Sequence, residues 1–133
     1  MPLSMAADFD VYVDAQPHRY ESSPQLIALT SPGVITNPGS VPSEPVLTVM
    51  GSGDIALLVA GQTVLIAGLQ YEIIIDCEAK LAYKNNLDGT MTLLTNSVTL
   101  PDDEWPTMPS GPVPVSWAGN VTEVEIRGNW RWL

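Results

Sequence analysis

The chain has 133 residues, a net charge of -10, one cysteine and only five Lys and Arg. That length suits one domain with a self-standing core. Five scattered cations cannot neutralise a phosphate backbone or hold an anionic bilayer, so neither nucleic acid nor a membrane is expected as a partner, and a lone cysteine excludes an intrachain disulfide.

Residues 1–7 lack a basic region and a sustained apolar run, so they read as an appended or disordered extension, not a signal peptide. The domain itself is expected over 8–133, and no stretch is long and apolar enough to span a bilayer. Phe9, Val11 and Val13 alternate with polar residues, the period of a half-buried strand. Gln16-Pro17-His18 breaks it. Leu26 to Thr30 is a second strand. Ser31-Pro32-Gly33 is expected to turn the chain back into Val34-Ile35-Thr36. The stretch Asn37-Pro38-Gly39-Ser40-Val41-Pro42-Ser43-Glu44-Pro45 has three residues without an N–H and cannot pair in a central sheet. It predicts an ordered crossing between sheets or along an edge.

Val46 to Met50 reads as a buried strand, and Gly51-Ser52-Gly53-Asp54 as a turn. Ile55 to Val59 and Thr63 to Ile66 flank Ala60-Gly61-Gln62, a hairpin loop. After a break at Gly68-Leu69-Gln70, Tyr71, Ile73 and Ile75 are expected on one strand face and Glu72, Ile74 and Asp76 on the other. Leu81 to Tyr83 and Met91 to Leu94 flank a turn at Asn85 to Gly89. Pro101 to Pro114 holds five prolines and predicts loop, with a turn of helix near Asp102-Asp103-Glu104. Val113 to Ala118 and Val121 to Trp132 close the chain around a hairpin tip at Gly119-Asn120. In the last strand Val121, Glu123 and Glu125 are expected on one face and Thr122, Val124 and Ile126 on the other. About ten short antiparallel strands with almost no helix predict an all-β domain, a β-sandwich of jelly-roll kind.

Several of these pieces, in this order, resemble one family. Asn37-Pro38-Gly39, Ser43-Glu44-Pro45 and Gly51-Ser52-Gly53-Asp54-Ile55 are similar to the middle of the C-terminal domain of siphophage distal tail proteins. Phe9 to Tyr20 resembles that domain's opening strand. Tyr71 to Asp76, Cys77-Glu78 and Ala82-Tyr83-Lys84 resemble its central strand pair. Trp105-Pro106-Thr107-Met108-Pro109-Ser110-Gly111 looks like a turn that usually carries Phe at the Trp position. Ser116-Trp117-Ala118-Gly119-Asn120-Val121-Thr122 and Trp130-Arg131 resemble the closing hairpin. Leu87 to Asp103 is longer and richer in Thr than the family pattern.

The resemblance implies a galectin-like β-sandwich in the phage or prophage tail tip. It implies a virion structural protein made in the bacterial cytoplasm, docking other tail proteins such as receptor-binding components of the baseplate. The family's ring-forming N-terminal domain has no counterpart here. The chain alone is therefore expected to be a monomer, hexameric only beside such a ring.

The galectin-like label also raises the alternative of a carbohydrate-binding module for host adhesion, touching surface polysaccharide. Trp105, Trp130 and Trp132 are the candidate contacts for a sugar or a partner, since a sugar ring needs an aromatic face. Against this, the lone histidine, His18, lies far from any sugar-binding run, and Trp117 reads as core. No catalytic, cofactor or metal residues are assigned and no enzyme is expected. Asp76 and Glu78 could share a strand face as a carboxylate pair, but no cleft is implied. Asp102 to Glu104 reads as a solvated loop, and Cys77 as a small buried apolar residue. Asn85 to Gly89 lacks the ligand spacing of a calcium loop.

Overall fold

A computed structural model describes residues 19–20 and 26–133. The strand expected at Phe9 to Val13, the corner at Gln16 to His18 and the extension 1–7 lie outside the described residues. Ten strands are described: β1 (Arg19–Tyr20), β2 (Leu26–Leu29), β3 (Gly33–Asn37), β4 (Val46–Val59), β5 (Gln62–Asp76), β6 (Leu81–Asn85), β7 (Met91–Leu93), β8 (Val98–Thr99), β9 (Gly111–Arg127) and β10 (Arg131–Trp132). One 3₁₀ turn, Thr95–Ser97, precedes β8. The protein is all-β, as expected from the spacing of its prolines and glycines.

The strands are not uniformly short. β4, β5 and β9 have 14, 15 and 17 residues. They lie antiparallel in the order β9-β4-β5, at the centre of an eight-stranded sheet. β2 and β3 pair with successive parts of β9, while β6 and β8 pair with successive parts of β5. β7 continues outward from β6, and β1 pairs with β10 as a separate ribbon.

All three long strands bend at one level. Gly53, Gly68 and Gly119 take positive φ there, at 83°, 61° and 114°. The register slips between Gly53 and Ile55 and between Ala118 and Asn120. Side chains tie the corner across strands: the Gly68 N–H donates to Asp54 Oδ1 (2.9 Å), and Asn120 Nδ2 donates to Ser52 Oγ (2.8 Å). Bulges and αL glycines are how a sheet turns a corner without losing its ladder. The result is two half-sheets sharing the same strands. The first holds β2, 121–127, 46–50, 71–76, β6 and β7. The second holds β3, 111–118, 55–59, 62–66 and β8.

One continuous apolar cluster joins the halves. Leu47, Val49, Ile73, Ile75, Val124 and Ile126 enter it from the first, and Ile55, Leu57, Val59, Val64, Ile66, Val113 and Val115 from the second. Each such side chain contributes roughly 1.5–3 kcal/mol by leaving water. Alternation along both halves, broken only where Ile74 is buried beside Ile73 and Ile75, gives a sandwich-like arrangement, one face of each half inward and one outward.

The corner corrects several expectations. Val121 leaves the face of Glu123 and Glu125 and packs against the core, because the register slips between Val121 and Glu123. Gly51 to Asp54 and Gly68 to Gln70 are bends inside β4 and β5, not breaks between strands. Gly119-Asn120 is a bulge within β9, not a hairpin tip. Ser31-Pro32-Gly33 does not reverse the chain: β2 and β3 are both antiparallel to β9 and so run the same way, crossing from one half to the other. Tyr71 leaves the face of Ile73 and Ile75. Its φ of 74° rotates the side chain outward, leaving it 77% exposed.

The expected hairpin at Ala60-Gly61 is present, with φ of 51° and 80°, the pair of positive values a two-residue type I′ loop requires. The loop expected up to Pro114 ends earlier, because β9 starts at Gly111. Pro112 and Pro114 are tolerated where β9 pairs only with β3, its other side lying beyond the last paired residue of β4. Asp102 to Glu104 forms a turn, with the Asp103 N–H donating to Leu100 O (2.9 Å), not helix.

The Pro-rich crossing at 38–45 is ordered, as expected. It runs between the 105–110 loop and the C-terminal ribbon and is bonded to both. Ser43 exchanges both backbone hydrogen bonds with Met108 (2.9 Å each), and the Ser40 N–H donates to Arg131 O (3.0 Å). Asn37, 2% exposed, donates from Nδ2 to Met108 O (2.9 Å) and accepts the Gly39 N–H at Oδ1 (2.7 Å).

Candidate functional site

The outward face of the first half-sheet gathers chemistry that the rest of the fold lacks. Its side chains follow from the ladder. Glu125 lies opposite Thr48, which lies opposite Ile74, which lies opposite Tyr83. One row over, Met50 sits between Glu123 and Glu72. Three carboxylates from two strands thus flank a strip containing Met50, Thr48, Ile74 and Tyr83. Leu26 and Leu93 extend the strip to the two edges of the sheet, at 59% and 65% exposed.

The carboxylates repel one another. Partial desolvation pushes the Glu125 carboxyl above the usual carboxylate range. The Glu123 charge, a hydrogen bond with Glu123 and the Glu72 charge push in the same direction. Among the described residues the one ion pair, Lys80 Nζ to Glu44 Oε2 at 3.7 Å, lies elsewhere, and at that exposure it contributes little. Arg127 stands at the end of this face. With Leu26, Val46, Thr48, Ile74, Tyr83 and Glu125 it lines a shallow depression of about 380 Å³. An aromatic ring, a carboxylate and a guanidinium there face solvent together.

The structure separates the sequence-predicted candidates. Trp130 is a core residue, 5% exposed, its indole lying where a side chain on Gly128 would have to sit. It offers no ring face to a ligand. Trp105, Trp117 and Trp132 are half-buried and pack against the core. Trp105 and Trp132 lie in the two segments that flank the Pro-rich crossing, away from the carboxylate face. Asp76 and Glu78 do not share a strand face. β5 ends at Asp76, whose Oδ1 accepts the N–H groups of Glu78 (3.1 Å) and Ala79 (3.0 Å), so it shapes a turn.

Asp88 does the same for its own turn, accepting from the Thr90 N–H (3.1 Å) and hydroxyl (2.7 Å), bonds that lower its pKa. Among the described residues no three His, Cys, Asp or Glu side chains converge in a way that could hold a metal.

Cys77 is 1% exposed. Burial pushes its thiol from 9.0 up to about 12, with Asp76 and Glu44 adding to the shift and Lys80 opposing it. A thiol held protonated is a poor nucleophile. In the folded chain Ellman's reagent should leave Cys77 unmodified at neutral pH and react fully in guanidinium. The linkage has a definite sign. The folded thiol keeps its proton where the unfolded one loses it, so this stability is fully present below pH 9.0 and is lost as pH rises toward about 12. The loss should approach about 1.4 kcal/mol per pH unit, and Cys77→Ala should remove that slope.

The sequence pattern already pairs Glu123 with Glu125. The contribution of Glu72, Thr48 and Tyr83 to the same surface depends on strand order, which periodicity does not carry. No protein-family model, curated protein or solved structure matches the chain.

Proposed function

We propose that this protein is a non-catalytic docking module of a phage or prophage tail tip, the peripheral domain of a distal tail protein. The observation that carries the reading is the outward face of the first half-sheet. It is a strip of half-buried side chains, with Ile74 buried at its centre and Leu26 and Leu93 exposed at its two edges, flanked by carboxylates that lack a cationic partner among the described residues. The ordered motifs from Asn37 to Arg131 supply the family and the galectin-like expectation.

Such a face suits a partner that brings Lys or Arg to Glu72, Glu123 and Glu125 and an apolar side chain to the strip between them. Electrostatic complementarity of this kind selects the partner and speeds encounter more than it adds affinity. The partner is expected among receptor-binding or other tail-tip proteins.

Virions carrying Glu72→Lys, Glu123→Lys and Glu125→Lys together are expected to adsorb to host cells at least tenfold less well, with the isolated domain still folded by circular dichroism. Antibody against the domain should decorate the tail tip in negative stain. Label absent from the tip would reject the reading.

A second reading, a carbohydrate-binding module contacting host polysaccharide, is favoured by the Tyr83, Glu125 and Arg127 side chains lining one depression. Saturable binding of a fluorescent fusion to host cells, abolished by Tyr83→Ala, would select it over the first.

A further inference from the structure

The two half-sheets differ in one respect that neither core packing nor the carboxylate face explains. The strand segments of the second half, 33–37, 55–59, 62–66, 98–99 and 111–118, contain not one Asp, Glu, Lys or Arg. In an isolated solvated sheet the outward positions are where charges normally go. Here they hold Ala, Thr, Ser, Pro, Val and Leu. The rows are set by the ladder: Ala118, Ala56, Leu65 and Thr99 lie side by side, and Ser116, Leu58 and Thr63 form the next row. Val34 is 66% exposed, Leu58 37% and Leu65 38%. Beside the corner this surface carries a shallow hollow of about 460 Å³ between Ala56, Leu65, Thr99 and Ala118, with Asp54 at its rim.

We infer that this uncharged face packs against the same face of a second copy of the chain. Charge decides the occupant. The protein carries -10, so two copies meeting through most of its surface bring like charges together. Meeting through the second half-sheet keeps the carboxylates of Glu72, Glu123 and Glu125 on the far sides of the pair. A cationic partner would find nothing to pair with on this surface, whereas a second copy supplies a face equally flat and neutral. The contact is then two-fold and self-complementary.

Area sets its strength. Five strands at about 4.8 Å and five residues at about 3.4 Å give roughly 400 Å² per copy before corrugation. The pair therefore falls short of the 1,200–2,000 Å² of a standard stable interface, and the association is weak and transient. It departs from the monomer expected for the chain alone, and it uses a different surface from the proposed tail-tip docking face.

Sedimentation equilibrium on the chain tests it. A monomer–dimer equilibrium is expected, with Kd on the order of 10⁻⁴ M. Added NaCl should tighten it, because screening removes repulsion between two net anions. Leu58→Glu with Leu65→Glu should weaken it at least tenfold, while Glu123→Gln with Glu125→Gln should not weaken it. Thr99→Lys, at an exposed position, repeats the test should the double variant misfold. A chain that stays monomeric at millimolar concentration, or a dimer indifferent to Thr99→Lys, overturns the inference. So does a dimer weakened only by changes on the carboxylate face.

Discussion

Gly51→Ala is expected to destabilise the domain by about 3 kcal/mol or more, a large share of the roughly 5–15 kcal/mol that holds a domain folded. A methyl group at Gly51 would overlap the backbone carbonyl oxygen of Asn120 on β9, and a β-ladder offers backbone no room to retreat. Gly119→Ala should be comparably damaging for two reasons. Its φ is 114°, and its added carbon would meet Asp54 O at 2.6 Å. Gly53→Ala is the control. Its φ of 83° is equally foreign to an L-residue, yet nothing lies within 4 Å of the added carbon, so only conformational strain of about 1–2 kcal/mol applies. Urea midpoints of the three variants should separate in that order. Equal losses at Gly51 and Gly53 would mean that the strands do not meet at the corner as described.

Asn37→Asp is expected to cost more than Asn37→Ala, although it is the closer isostere. The side-chain amide is buried and works in both directions, donating to Met108 O and accepting from the Gly39 N–H. Alanine loses both bonds and leaves the Gly39 N–H unsatisfied, while Met108 O keeps the Ser43 N–H, a cost of about 1–3 kcal/mol. Aspartate keeps the acceptor but replaces the donor with an anion facing a carbonyl oxygen in a nearly dry site. It must either ionise at high cost or take up a proton. The distinguishing measurement is pH-dependent thermal melting. Asn37→Asp should recover part of its stability as pH falls through its raised carboxyl pKa, and Asn37→Ala should not.

These residues also mark how far the sequence could be read. Alternation identified the strands, and Val124, Ile126, Ile73 and Ile75 face inward as their period requires. The glycine clusters at 51–54, 68–70 and 119–120 were visible as interruptions. A Gly or Asn at positive φ serves a tight turn and a bulged corner equally well, and the two differ only in what the neighbouring strands do. Three interruptions falling side by side is a fact of long-range pairing. Asp54 meets Gly68 fourteen positions on, and Ser52 meets Asn120 sixty-eight positions on.

The candidate site suffered the same limit. Glu123 and Glu125 share a face by period alone, but Glu72 and Tyr83 reach that surface through β4 and β5. Tryptophan content drew the sequence reading toward Trp130, which the ribbon after Gly128 turns into the core. Composition shows how many large rings a chain has, not which of them find room inside.

The long β9 has a consequence for biosynthesis. It is the central partner of β2, β3 and β4, yet it follows all of them in the chain and leaves the ribosome after them. β4, β5 and β6 can form a meander as they emerge, since each pairs with its neighbour in sequence. Until residues 111–127 arrive, the meander keeps a fourteen-residue β4 edge open, rich in Val and Leu and ready to pair with another nascent chain. The non-local pairing that closes it is also the slow kind. A chain stopped at the 101–110 loop would keep an adhesive margin, so β9 serves as a kinetic seal as well as a wall of the core.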